Sequence, residues 1–137
     1  MSHVVPDLVQ KILKGQDPLH IPGSGEQVRH YTYGGDLAEG VVTAMAHPRA
    51  RNEDFNLSTA QGTTVLQLAE LIWHKIKGGD CPLRVVHDEP FACDVQGRVP
   101  ATGKAKRVLD FEAATILDEM LDEVIPWIAA AIKAGMI

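Results

Sequence analysis

Amphipathic helical stripes alternate along the chain with short apolar segments, and glycine or proline ends nearly every one of them. The first stripe follows Pro6, a residue well suited to a helix start, and stops at Gly15. A short apolar segment at residues 19–21 precedes the turn-forming residues 22–25. Residues 28–33 alternate β-branched and aromatic side chains, which is typical of a strand. The alternation predicts a mixed α/β fold, with a small sheet and about four to five helices.

Two capping boxes mark predicted helix starts. Asp36 stands three residues before Glu39, and Thr64 stands three residues before Gln67. In this motif the first side chain accepts a hydrogen bond from the backbone N–H of the fourth residue, and the fourth side chain accepts one from the backbone N–H of the first. Apolar residues follow each motif at helical spacing, so each predicts a helix.

The rest of the chain predicts two strands and two helices. Short apolar runs at residues 55–57 and 83–86 favour strands. A short helix is predicted over residues 104–109. A last helix is predicted to start near Thr115 and to be kinked at Pro126, because proline cannot donate the backbone hydrogen bond.

Length and composition indicate one domain over residues 1–137. The chain is 45% hydrophobic and 23% charged, with a formal net charge of −5. A chain of this size buries roughly two-thirds of its unfolded surface, which is enough for a core. The negative charge argues against nucleic-acid binding, and no apolar stretch is long enough to span a bilayer. We therefore expect a cytoplasmic protein with neither nucleic-acid nor membrane partners.

Complete catalytic and metal-binding motifs are absent from the sequence. It holds no G-x-G-x-x-G, no P-loop lysine motif and no G-x-S-x-G. The glycines within residues 23–25 follow a predicted strand without a helix behind them, which favours a hairpin turn over a phosphate loop. The six histidines are scattered, and Cys81 and Cys93 are too far apart for a zinc knuckle. We predict no catalytic residue and no metal in this chain.

Two arginines are the best candidates for ligand binding. Arg29 and Arg98 each lie at a boundary between ordered segments, where loops carry function. A guanidinium group holds phosphate oxygens in a planar, bidentate geometry that lysine cannot copy. The alternative is that each is a surface residue that contacts only water.

The residues around Arg29 also resemble a known family. Residues 23–37, GSGEQVRHYTYGGDL, resemble a G-x-G-x-Q-x-R-x-[FY]-x-[YH]-V-x-D-L run of the extended short-chain dehydrogenase/reductases. These are NAD-dependent nucleotide-sugar epimerases, dehydratases and decarboxylases. The similarity continues in register and covers nearly the whole chain, through residues 4–6, 56–59, 64–65, 94–100 and 104–111.

The resemblance implies the C-terminal, substrate-binding part of such an enzyme, without a complete Rossmann domain. In the family, an N-terminal Rossmann domain carries the NAD loop and a catalytic Tyr-x-x-x-Lys pair. Here Tyr31 is followed four residues later by Gly35, and Tyr33 by Leu37, so neither begins that pair. The chain is therefore expected to bind a nucleotide sugar, to hold no cofactor itself and to be inactive alone. NAD would belong to the intact parent enzyme.

The resemblance further implies a binding site with a charged side and an apolar side. Arg29 and Arg98 would contact the nucleotide diphosphate, and Asp94 would accept a hydrogen bond from a ribose hydroxyl. The other substrate-binding residues implied for this pocket are Ile21, Val65 and Tyr31.

Several positions depart from the family pattern. His30 replaces a common acidic residue, and Pro22 replaces an aromatic residue that often lies against the base. Ala101 and Asp110 replace a usual aspartate and a usual glycine, which affects the loop geometry near Arg98. Base specificity therefore stays open at this point.

Two alternatives remain beside an enzyme's substrate domain. The chain could be a stand-alone module that binds or senses nucleotide sugars. It could also be a non-catalytic fragment whose exposed apolar face packs on another domain or forms a homodimer.

Overall fold

The computed structural model describes residues 3–93 and 95–137, and helices alternate with short strands along them. Asp94, the predicted ribose contact, lies outside the described residues. In chain order the elements are α1 Val4–Leu13, β1 Leu19–Pro22, β2 Val28–Arg29, α2 Gly34–Ala46, β3 Thr63–Thr64, α3 Val65–Lys77, β4 Val85–Asp88, α4 Gly103–Leu109 and α5 Leu117–Lys133.

The mixed α/β class is confirmed, but the strands form two small sheets rather than one. β1 pairs in parallel with β4, and β2 pairs antiparallel with β3. The turn at residues 23–25 therefore joins strands of different sheets, and the predicted hairpin is wrong. The reason is that each end of the turn has a distant partner: Gly23 N donates to Asp88 O, and Gly25 O accepts from Leu66 N.

The main core lies where α1, α3 and α5 pack around β1. The predicted apolar stripes of α1 and α3 are confirmed, because their residues face this core. Trp73 is almost fully buried, and its indole Nε1 donates a 2.8 Å hydrogen bond to the carbonyl of Cys81. The other fully buried large side chains are Leu8, Val9, Ile12, Leu19, Ile21, Leu68, Ile72, Leu121 and Ile128.

One predicted capping box forms and the other does not. At the start of α3, Thr64 Oγ1 accepts from Gln67 N at 3.1 Å, and Gln67 Oε1 accepts from Thr64 N at 2.9 Å. α2, however, starts at Gly34, so Asp36 lies inside its first turn. The Asp36 carboxylate accepts bonds from the backbone N and the hydroxyl of Thr115, at 2.8 and 2.7 Å. A long-range partner therefore takes the place of the predicted cap.

A second, smaller cluster packs beside α2. Its buried residues are Ala105, Leu109 and Phe111, with Phe55 and Leu57 against them. Residues 55–57 belong to none of the strands, so that strand prediction is wrong. Their apolar side chains cover α4 instead of a sheet face.

The α2 helix approaches the second cluster closely at Gly40. A Cβ at this position would lie 2.8 Å from the ring of Phe111 and 3.2 Å from a methyl of Leu57. Only glycine allows this contact without a shift of the ring.

The two C-terminal helix predictions are confirmed within two residues. α4 begins at Gly103, and α5 begins at Leu117, two residues after Thr115, with Pro126 inside it.

No helix among the described residues is both long and apolar enough to cross a membrane. Cys81 is half-buried, Cys93 is exposed, and both are free thiols.

Candidate phosphate-binding cavity

Arg29 and Arg98 line one open cavity of about 550 Å³. About half of the described chain separates them in sequence, including α2, α3 and β4. The other residues that line this cavity are Val4, His30, Tyr31, Ser58, Val99 and Pro100.

Backbone pairing at β2 brings the two arginines together. Val28 N donates a 2.8 Å hydrogen bond to Gln96 O, and Val28 forms a parallel bridge with Gly97. Arg29 and Arg98 are the next residues on the two paired segments. The fold therefore places two guanidinium groups on one cavity, which suits an anionic ligand.

The two arginines differ in how firmly they are held. Arg29 is half-buried, and its Nη1 donates a 2.9 Å bond to the carbonyl of Val28. Arg98 is exposed on a segment without regular structure. A guanidinium that is partly desolvated interacts more strongly with an anion than one in water.

Side-chain hydrogen bonds hold the chain after β2 against the segment that precedes β3. The sequence predicted a strand over residues 28–33, but β2 ends at Arg29. His30 Nδ1 lies 3.0 Å from the carbonyl of Thr59, and the hydroxyls of Thr32 and Ser58 are 2.9 Å apart. These contacts replace a backbone ladder, and they place His30 and Ser58 on the cavity.

Sequence reasoning did not assign His30 and Ser58 to the site. Both were visible in the motifs: His30 directly follows Arg29, and Ser58 lies within the matched residues 56–59. Since a carbonyl oxygen only accepts, the contact with Thr59 requires that His30 Nδ1 carries a proton. His30 and Ser58 thus add two polar residues to the lining of the cavity that holds both arginines.

Tyr31 lines the cavity, but its hydroxyl does not face it. The hydroxyl oxygen has essentially no accessible surface and no hydrogen-bond partner within residues 3–93 and 95–137. Burial raises the pKa of Tyr31 to about 12, although the nearby positive charge of Arg29 lowers it. A ligand in the cavity would therefore meet the rest of this residue rather than its hydroxyl.

Ile21 and Val65 do not line this cavity. Ile21 is fully buried in the main core, and Val65 is 6% exposed. Their burial in the core argues against the expectation that they line the binding pocket. Both were implied by motif position, which does not report burial.

A second, larger cleft of about 740 Å³ lies between α3 and the start of α5. Its lysine, Lys75, is held by Asp122 at 2.6 Å and by Asp118 at 3.0 Å. The hydrogen bond to Asp122 is the main cause of the raised pKa of Lys75. The two aspartates beside its lysine place negative charge in this cleft, which disfavours an anionic ligand. Over the described ranges, no group of three or more His, Cys, Asp or Glu residues could hold a metal ion.

Comparisons with known proteins indicate the family of this chain. The family model described as "NAD dependent epimerase/dehydratase family" matches residues 1–58. UDP-glucuronic acid decarboxylase 1 of Xenopus tropicalis is 33% identical over 126 residues, which cover 90% of this chain and 28% of that protein. UDP-glucose 4-epimerase of Thermotoga maritima, solved with UDP-glucose, is 32% identical with a TM-score of 0.80. The chain belongs to the NAD-dependent epimerase/dehydratase family.

The chain spans less than half the length of these members of the epimerase/dehydratase family. It covers 40% of the T. maritima epimerase, while 96% of this chain is matched. UDP-glucuronic acid 4-epimerase of Bacillus cereus, solved with UDP-glucuronic acid and NAD, shares the fold. The TM-score of this comparison is 0.83 at 21% identity. The matched region is 94% of this chain and 40% of the B. cereus chain. The family resemblance carried by residues 23–37 is thereby confirmed.

Proposed function

We propose that this chain is the nucleotide-sugar-binding part of an epimerase/dehydratase-family enzyme and that the cavity between Arg29 and Arg98 receives the diphosphate. The observation that carries the proposal is the pairing of Val28 with Gly97, which puts both arginines on one cavity. Its volume of about 550 Å³ falls in the range of small-molecule sites. Relatives named for UDP-sugars support the ligand class.

The lining of the cavity suits both ends of such a ligand. Two guanidinium groups would neutralise a diphosphate in a chain whose net charge is −5. His30 and Ser58 supply polar atoms beside them. Val4, Val99 and Pro100 supply apolar surface, and the 80% exposure of Val99 leaves it available to a base or a sugar ring.

The glycine turn at residues 23–25 does not have the form of a dinucleotide-binding loop. The turn with Gly23 and Gly25 leads into β2 rather than into a helix. The space beside each glycine is taken, by Pro90 at Gly23 and by Leu66 at Gly25. We therefore assign NAD to a part of the family fold outside these residues. The role of this chain is to bind and orient the nucleotide sugar.

Calorimetric titration with UDP-glucose tests the proposal. We expect weak binding, because a part of the pocket wall would come from outside this chain. Inorganic pyrophosphate should compete with UDP-glucose, whereas free glucose should not. No heat with any nucleotide sugar, in a sample shown by circular dichroism to be folded, would contradict the proposal. A mixture of this chain, NAD and UDP-glucose should show no NAD-linked conversion of the UDP-glucose.

A second candidate function rests on the exposed apolar face of α2. The chain covers 28–40% of the relatives above, so most of the family fold lies outside it. We propose that this face packs on the NAD-binding part of that fold, since a continuous row of exposed apolar side chains on a helix usually marks a surface that a partner covers. The apolar residues of the face are 43–83% exposed: Leu37, Val41, Val42 and Met45.

A further inference from the structure

A second, much smaller cavity also lies against Tyr31. Its volume is about 10 Å³, and Tyr31 lines both this cavity and the open one. A cavity needs about 10–15 Å³ to hold one water molecule. The other residues around it are Thr59, Gln61, Thr63, Thr115 and Leu117.

The buried hydroxyl of Tyr31 needs a partner that the protein does not supply. It makes no hydrogen bond to any of the described residues, and its oxygen is inaccessible from outside. Burying a hydroxyl without a partner is unfavourable, and native proteins nearly always satisfy such groups with protein or ordered water.

The cavity lining offers the remaining partners that a water molecule requires. Thr115 Oγ1 already donates to Asp36, so its lone pairs are free to accept. Thr59 Oγ1 accepts from the backbone of Gln61, so its proton is free to be donated. Thr63 is buried and adds a third hydroxyl. A water needs two to four polar partners, and this lining provides them.

We propose that one ordered water occupies this cavity and hydrogen-bonds the hydroxyl of Tyr31 and the threonine hydroxyls around it. The water joins three parts of the chain: the segment after β2, the segment before β3 and the residues before α5. It thereby holds Tyr31 in the wall of the arginine cavity. The inference does not depend on any ligand in that cavity.

The sign of a stability change distinguishes a hydrated cavity from a dry one. In a hydrated cavity, Tyr31→Phe removes a satisfied hydrogen bond and should raise the unfolding equilibrium constant about fivefold. In a dry cavity, the same change removes an unsatisfied hydroxyl and should leave the urea midpoint unchanged or raise it. Tyr33→Phe is the matched control, because its hydroxyl donates to Glu123 at the surface and its loss should have a smaller effect.

A direct measurement on the unchanged chain completes the test. A high-resolution crystal structure should show a water within hydrogen-bond distance of Tyr31 Oη, and nuclear Overhauser effects should connect long-lived water to the threonines of the lining. A cavity without water, or a urea midpoint for Tyr31→Phe at or above that of the unchanged chain, overturns the proposal.

Discussion

At the scale of single residues, Arg29 and Arg98 have the same chemistry but different surroundings. Arg29 is half-buried and anchored through Nη1 on the carbonyl of Val28, so its guanidinium is placed before a ligand arrives. Arg98 is exposed and must lose side-chain entropy when it binds. Preorganisation therefore favours Arg29 as the stronger phosphate contact.

Removing Arg29 should weaken nucleotide-sugar binding more than removing Arg98. Arg29→Ala is expected to cost about 1.5–3 kcal/mol of binding free energy, which is a charged hydrogen bond's contribution. Arg98→Ala should cost about 0.5–1.5 kcal/mol. Calorimetric titration with UDP-glucose measures both. Arg51→Ala removes the same charge from an exposed site outside the cavity lining and should leave the affinity nearly unchanged.

Unchanged affinity in Arg29→Ala would exclude this residue as a phosphate contact. An equal loss in Arg51→Ala would indicate that net charge, rather than the cavity, determines binding.

At the scale of elements, short-range bonds start α3 and a long-range bond anchors α2. The Thr64–Gln67 capping box depends only on neighbouring residues. α2 has no side-chain cap, and Asp36 in its first turn ties it to Thr115 before α5. The position of α2 therefore depends on a carboxylate that the sequence pattern assigned to a cap.

Asp36→Ala should destabilise the fold, whereas Glu39→Ala should not. The first change leaves the amide and hydroxyl of Thr115 without their acceptor and is expected to cost about 1–3 kcal/mol of unfolding free energy. Glu39 is exposed and was paired with Asp36 only in the sequence motif. Urea denaturation measures both. Equal effects of the two substitutions would favour the predicted cap over the bond to Thr115.

At the scale of the whole molecule, the two apolar clusters are unequal. The main core joins three helices and β1, whereas the second cluster has three buried residues and the exposed helix α2 beside it. Regions with few buried apolar contacts open first. The apolar face of α2 is thus exposed beside the smaller of the two clusters, which is consistent with a surface that another domain covers.

The isolated chain should self-associate through α2 when its proposed partner is absent. Sedimentation velocity should show association that increases with concentration, because apolar surface leaves water. Val42→Lys combined with Met45→Lys should abolish it while circular dichroism stays unchanged. Trp127→Lys, on the exposed part of α5, is the matched control. A chain that stays monomeric at high concentration would count against this face as an interface.

The sequence by itself determined the features that depend on neighbouring residues. Helical stripes, the capping box at Thr64 and the boundaries of α4 follow from periodicity and local hydrogen bonding, which act within a few residues. Motif order along residues 23–37 was likewise enough to indicate the family. These signals carry no information about which distant segments meet.

Tertiary structure alone decided the composition of the candidate site. The bridge between Val28 and Gly97 puts Arg98 beside Arg29. Packing on β1 buries Ile21 and removes it from the pocket. Both outcomes depend on pairing and burial between residues far apart in the chain, and local patterns do not specify either one.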